Sequence, residues 1–453
     1  MTKPTTFSDS ETKYMQGALD DLRTATAFSG SYMPRKWMVS SFNRRPDVLQ
    51  AQLPDRIVVR DITLRTTEQL AGADVSPAGR LNFLREVVRA GVGSVQLSTF
   101  RRGHSLDEMR AEVDAVKEIN PACEVVYGAA TTAREVELAA KAGIDSVHIW
   151  TAFLGAGAAI CSGAVYHRVW QDRDWRDLNF PLKPEDQIER SVRMCELGKE
   201  WGVGIGGTIN LLSYASEAYI SEYSGRVAEA GAVEIALADG SSGCGPEAIA
   251  HAVQLVRASA PEVPVGLHTH NMFGLGTANL IAGVKAGAEV IEVAVNEYEH
   301  GATQADLAAT VAALEVLYGI PTGVALDRLV PLARLAEDLT GQRLADHHPI
   351  TGRKVFEAAG GDEYVQEYKY DVLIHCALAP ELVGNVREAS IARDTGPLTM
   401  WDRLDAAGVE VTNPATVEQI LVESKRLVAE KRRDLTAAEV RALAQTYLSK
   451  TDR

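Results

Sequence analysis

At 453 residues the chain can bury a large core and exceeds one ordinary domain, although an α/β barrel alone takes about 250 residues. Lys+Arg 46 against Asp+Glu 61 leaves a formal net charge of −15, which on average repels polyanions and argues against nucleic acid or an acidic membrane as a partner. Cys123, Cys161, Cys195, Cys244 and Cys376 are scattered without a CxxC pair, and no stretch has the pattern of a signal peptide or membrane span, so a cytoplasmic protein with reduced thiols is expected.

Residues 1–54 are polar and without a strong period, which suggests an N-terminal arm packed on the body or on a second subunit. From Arg56 an alternation begins. Strand-like runs at 56–63, 94–99, 123–128, 145–151, 203–210, 232–238, 263–269 and 289–295 enclose helical patterns at 78–91, 106–119, 133–143, 185–202, 215–231, 246–259 and 277–287. Several of these helices end in Ala-Gly, at 90–91, 142–143, 230–231 and 286–287, and glycine just past the last turn is the expected helix terminator. Eight such units predict an α/β fold, a (β/α)8 TIM barrel over 55–322. An open doubly wound sheet is the alternative, disfavoured by eight regular units with no switch-point fingerprint. Helical runs at 326–340, 380–393, 399–408, 414–431 and 436–449 then predict a helical C-terminal region over 323–453.

In a barrel the chemistry sits at the C-terminal ends of the strands. Polar residues there are Asp61, Thr63, Arg65 and Thr66 on the first, Gln96 and Ser98 on the second, and His148 on the fourth. Thr208 and Asn210 follow on the fifth, Asp239 on the sixth, His268 and His270 on the seventh, and Asn296 and Glu297 on the eighth. Strand side chains alternate with period two, so His268 and His270 face the same way and can grip one divalent cation. The competing reading is a surface strand with two incidental histidines. His148 reads equally as a site residue or as a hydrogen-bonded core histidine. Asp239-Gly240-Ser241-Ser242-Gly243 reads as a phosphate cradle or as a simple turn.

The segment Arg60-Asp61-Ile62-Thr63-Leu64-Arg65-Thr66-Thr67-Glu68-Gln69 resembles the D-x-T-L-R-[DE]-G-E-Q signature of isopropylmalate and homocitrate synthases, which with hydroxymethylglutaryl-CoA lyase form the DRE-TIM metallolyases. His268-Thr269-His270-Asn271 with Gly274-Leu275-Gly276 and Ala278-Asn279 resembles the second motif, and the similarity runs over roughly residues 55–445. The resemblance implies an acyltransferase that condenses acetyl-CoA or another acyl-CoA with a small 2-oxo acid in a Claisen-type reaction. It also implies a homodimer and a divalent cation (Mg, Mn, Zn or Co) held by His268 and His270, with Arg65 polarising the keto group. Thr66 stands where the family has an acidic metal ligand, Gln96 where it has a glutamate, and Gln304 where it has an asparagine. With Thr208, these positions are expected to contact substrate, and the loss of charge suggests a substrate bringing its own. Asp61 or Glu68 is a candidate for the missing charge. Glu68, His148 and Glu363 are carried as catalytic candidates, Glu363 aligning loosely with the synthases' F-A-H-E-S-G-I-H. The alternatives are a carbon–carbon lyase and a catalytically inactive binding subunit.

Overall fold

The structure is a computed structural model that describes residues 8–28, 30–49, 51–99, 103–130, 132–150 and 184–451. Cys161 and the last residue of the fourth strand-like run lie outside the described residues. The chain forms two compact units, Pro46–Leu344 and one built from both chain ends, up to Arg45 and from Ala345 onward. The boundaries expected from the alternation alone, 54/55 and 322/323, differ from these divisions.

The first unit is a closed barrel of eight parallel strands: β1 (Val58–Asp61), β2 (Ser94–Leu97), β3 (Glu124–Ala130), β4 (Ser146–Trp150), β5 (Gly204–Ile209), β6 (Glu234–Asp239), β7 (Val265–Thr269) and β8 (Val290–Val293). Every neighbour pairs with its successor, and β8 closes on β1 through Glu292 opposite Arg60. The fold is the expected (β/α)8 barrel. Helices Pro77–Arg89, Leu106–Ile119, Ala133–Ala142, Pro184–Trp201, Glu217–Glu229, Pro246–Ser259 and Gly276–Lys285 follow the strands in order. Their stops are chemical: Gly91, Gly143, Gly231 and Gly287 have φ of 100°, 86°, 90° and 109°, backbone that only glycine adopts without a Cβ penalty. Helix Leu329–Thr340 stays with this unit, since Asn296 Nδ2 donates to Ala333 O at 2.9 Å.

The barrel interior is charged. Arg60, with no exposure, donates to both carboxylate oxygens of Glu234 at 2.7 and 2.9 Å and to Glu124 at 2.8 Å. Its Nε donates to Ser94 Oγ at 2.9 Å, and Glu292 Oε1 lies 3.4 Å from Nη1. Burial works against the guanidinium charge, but Glu234, Glu124 and Glu292 outweigh it and raise its pKa. The same contest, burial against the Arg60 and His148 charges, holds Glu234 at about 2. A buried cation fully paired with carboxylates is tolerated where an unpaired one is not. Glycines make the room: a Cβ on Gly206 would meet the His148 ring at 2.5 Å, and one on Gly266 would meet the Glu234 carboxylate.

In the second unit, helices Pro397–Ala406, Pro414–Lys431 and Ala437–Thr451 pack around Met400, Trp401, Leu404, Ile420 and Val440. Three expectations change here. The run 380–393 is not a helix but a single turn, Pro380–Val383, ended by Gly384 at φ 77°. Residues 9–26 of the supposed featureless arm form an 18-residue helix, started by a capping box between Ser8 and Glu11. A helix at Asp362–Tyr370 has no counterpart in the sequence reading. Among the described residues no helix is long and apolar enough to cross a membrane.

Candidate active site

His268 and His270 leave the end of β7 on one face, as period two requires, with their Nε2 atoms 3.3 Å apart. The loop after β8 folds over them. It is tied to the end of β7 by Ala305 N–H to Thr269 O at 3.2 Å and Asn271 N–H to Ala302 O at 3.0 Å. Asn296, Glu297 and Thr303 in this loop sit at φ 61°, 58° and 54°, left-handed conformations that cost non-glycine residues energy and recur at functional sites. The loop delivers two side chains that are both buried. Gln304 Nε2 lies 3.1 Å from His268 Nε2 and 3.0 Å from His270 Nε2, and it also donates to Glu299 Oε2. Among the described residues, His268, His270 and Glu299 form the one group of metal-ligating side chains close enough to share an ion.

Behind this cluster, Glu292 connects it to the charged interior. Its Oε2 is 2.7 Å from His268 Nδ1, and its Oε1 accepts from Gln96 Nε2 at 3.0 Å. A carboxylate on Nδ1 fixes the tautomer and leaves Nε2 as a lone pair, the usual arrangement behind a metal-bound imidazole. Burial, helped by the nearby His268 and Arg65 charges and opposed by Glu299, lowers His270 to about 4, so this imidazole is neutral and ligand-competent at pH 7. Burial opposes ionisation of Glu299, but the Arg65 guanidinium, the neighbouring imidazoles and the Gln304 amide outweigh it and lower its pKa. Two imidazoles, a carboxylate and an amide oxygen make a donor set suited to Mn²⁺, Co²⁺ or Zn²⁺. Gln304 Oε1 is moreover buried with no hydrogen-bond partner as the amide is oriented, so the residues fit the cation that the resemblance implies.

Arg65 lies in the one-turn helix Thr63–Thr67 just after β1. A Cβ on Gly128 would come within 2.7 Å of the Gln96 carboxamide and 2.8 Å of Arg65 Cδ, so the bare backbone of β3 is what lets both side chains lie there. Gln96 then reaches Glu292, and Glu292 reaches His268. Thus Arg65, Gln96, Gln304 and the histidine pair belong to one contiguous constellation.

The other expected residues fall elsewhere. Thr66 is buried and its hydroxyl donates to Ile62 O and Thr63 O at 3.2 and 3.1 Å. Glu68 accepts from Arg80 at 2.6 Å, lies 2.5 Å from His104 Nε2, and accepts from Ser98. Its partners outweigh burial and lower its pKa. Asp61, pushed up to about 7 by burial against bonds from Thr63, accepts from the Thr63 amide and hydroxyl. Neither Asp61 nor Glu68 supplies the missing charge at the histidines; Glu299 brings it there, so the cluster is not depleted of negative charge. His148 is 4% exposed, 3.3 Å from Arg60 Nη1 and 3.5 Å from Glu234, within the interior charge layer. Thr208 is buried next to the end of β5, in register with Ala236. Glu363 is exposed in the first turn of helix Asp362–Tyr370, in the other compact unit. Asp239 accepts from Gly243 N and Cys244 N at 2.9 and 3.0 Å, which makes its glycine-rich loop a self-capped turn. The sequence reading missed Arg60, Glu234, Glu292 and Glu299. A charged residue inside each of three strand runs was the available signal for the first three.

Fold and site together define a (β/α)8-barrel enzyme with its chemistry at the strand ends. The HMGL-like family matches residues 175–336. The chain is 30% identical over 375 residues to the 2-phosphonomethylmalate synthase of Streptomyces rubellomurinus, covering 82% of this chain and 94% of that protein. It is 24% identical over 407 residues to the 2-isopropylmalate synthase of Methanocaldococcus jannaschii, covering 88% and 73%. The HMG-CoA lyase of Bacillus subtilis shares the barrel at a TM-score of 0.52 and 16% identity, over 64% of this chain and 96% of that one. The chain belongs to the DRE-TIM metallolyase family.

Proposed function

We propose that this chain is an acyl-CoA:2-oxo acid acyltransferase that condenses acetyl-CoA with a small 2-oxo acid and releases free CoA. The observation that carries the reading is the strand-end pair His268/His270, 3.3 Å apart and continuous through Gln96 and Glu292 with Arg65, in a chain similar to named synthases over most of their length. His268 and His270 would hold a divalent cation, which when bound supplies Lewis-acid polarisation of a keto oxygen and a chelation point for the adjacent carboxylate. Arg65 orients the oxo acid and stabilises the negative charge that develops on its keto oxygen. Glu292, itself held by Gln96 Nε2 at 3.0 Å, keeps the His268 ring in one tautomer.

In balanced terms, a base removes a proton from the acyl methyl, and the resulting carbanion forms a bond to the keto carbon. The alkoxide takes a proton, and water cleaves the thioester to a carboxylate and a thiol. Glu363, exposed in the other compact unit, is given no step in this reaction sequence. A homodimer in the cytoplasm is the accompanying expectation, checked by light scattering and fractionation.

The experiment is thiol release from acetyl-CoA across a panel of 2-oxo acids. Release that needs both the oxo acid and an intact His268 supports condensation. Cleavage of a 3-hydroxyacyl-CoA without oxo acid supports the lyase reading, and silence in both arms supports a binding subunit.

A further inference from the structure

We propose that Glu299 is the carboxylate ligand of this chain's cation site, so that His268, His270, Glu299 and Gln304 together form the donor set. The inference rests on the proposed function only in taking a divalent cation as the bound group; which carboxylate holds it is argued from the geometry.

Gln304 Nε2 stands against three side chains at once: His268 Nε2 at 3.1 Å, His270 Nε2 at 3.0 Å and Glu299 Oε2. An amide –NH2 has two protons for them. The 2.7 Å contact of His268 Nδ1 with Glu292 turns its Nε2 toward the same point. Turned by half a rotation, the Gln304 amide places Oε1, the atom now buried without a partner, where Nε2 stands. Lone pairs of four side chains then face one point. Buried acceptors that confront one another are stabilised by a cation and by little else.

Glu299 is built to serve as that ligand. It is 5% exposed, and its second oxygen accepts from Gln69 Nε2 at 2.8 Å, which leaves the first directed at His270 and Gln304. The nearby alternatives have other tasks. Thr66 spends its hydroxyl on its own turn, Asp61 on Thr63, and Glu68 on Arg80, His104 and Ser98. Glu297 accepts from Asn271 at 3.1 Å and from Thr303 at 3.4 Å. The acid in this site therefore arrives from the loop after β8 and not from the turn after β1. Gln69 is a positioning residue that aims it.

The test is cation binding by the full-length chain without substrates, read by calorimetry with Mn²⁺ and by the visible absorption of Co²⁺. Wild type is expected to bind with a Co²⁺ spectrum typical of nitrogen and oxygen ligands. Glu299→Gln should weaken binding by at least about 100-fold, and Gln69→Leu by about 10-fold, the range seen when groups supporting a ligand are lost. Glu297→Gln, a carboxylate two residues away, should keep wild-type affinity. Should Glu299→Gln fail to fold by circular dichroism, Gln69→Leu and Glu299→Asp carry the test through affinity loss and a changed Co²⁺ spectrum. Unchanged affinity and spectrum in the Glu299 and Gln69 variants overturns the assignment while leaving a cation at the histidines. A wild-type chain that binds neither cation overturns the cofactor reading and this assignment together.

Discussion

Replacing Arg60 with methionine removes the cation around which Glu234, Glu124 and Glu292 are arranged and leaves a shorter, uncharged side chain in its place. Glu234 is held at about 2 against an ordinary 4.5, which corresponds to roughly 3 kcal/mol favouring its ionised form in the fold. That agrees with the about 3–5 kcal/mol typical of breaking a buried ion pair by deleting one partner. Against a typical total of about 5–15 kcal/mol, the loss is severe. The pH dependence gives the sign. A carboxyl whose folded pKa lies below its unfolded value stabilises the protein above the unfolded value, about 4.3, and loses that contribution as pH falls toward 2. In Arg60→Met the Glu234 and Glu292 carboxylates are buried without that cation, so their folded pKa values rise above the unfolded ones. The variant is then penalised at pH 7 and relieved on acidification. Urea unfolding of metal-free protein should show a deficit of about 3–5 kcal/mol at pH 7 that narrows toward pH 4.5. A deficit under about 1 kcal/mol, or one that does not change over that interval, would refute the interior ion-pair account.

Chelation should abolish oxo-acid-dependent thiol release, with Mn²⁺ or Co²⁺ restoring it; full activity after exhaustive chelation, verified by elemental analysis, argues against the cation. Gly128→Ala puts a Cβ within 2.8 Å of Arg65 Cδ, so kcat/KM for the oxo acid should fall by about 10-fold or more, at a stability cost of about 1–3 kcal/mol. Steady-state kinetics and a melt check this, and unchanged kinetics would remove Arg65 from the site. Burial pushes Cys123, Cys195 and Cys244 up to about 12, so at pH 8 these thiols stay protonated and should resist alkylation until urea unfolds the chain. Peptide mass mapping reads that directly, and rapid labelling of any of the three in the folded protein contradicts its buried environment.

The barrel was legible because the units repeat local signals, a strand-like apolar run in each and a helix stopped by Ala-Gly in four of them, and both report directly on backbone preference. His268 and His270 were legible for the same reason, since period two alone puts them on one face. Arg60, Glu234 and Glu292 were not, because a single charge inside an apolar strand run does not say which others it will meet across the barrel. Only the register, Glu292 opposite both Arg60 and His268, brings them together. Glu299 carries no local signal in the sequence, whereas Asp61 and Glu68 lie in the signature segment after β1, where their carboxylates are bonded to Thr63 and to Arg80, His104 and Ser98. The 380–393 run failed at Gly384, whose left-handed backbone ends the turn. The helix at 9–26 was recoverable from Ser8 and Glu11, a capping box that the polar composition concealed.

The most direct test of condensation is mass spectrometry of the product formed from acetyl-CoA labelled with ¹³C at both acetyl carbons, together with an unlabelled 2-oxo acid. A hydroxy acid carrying both labelled carbons joined to the intact oxo acid skeleton, formed by wild type and not by His268→Ala, is the result expected here. Labelled acetate and unchanged oxo acid would contradict it, showing thioester hydrolysis without carbon–carbon bond formation.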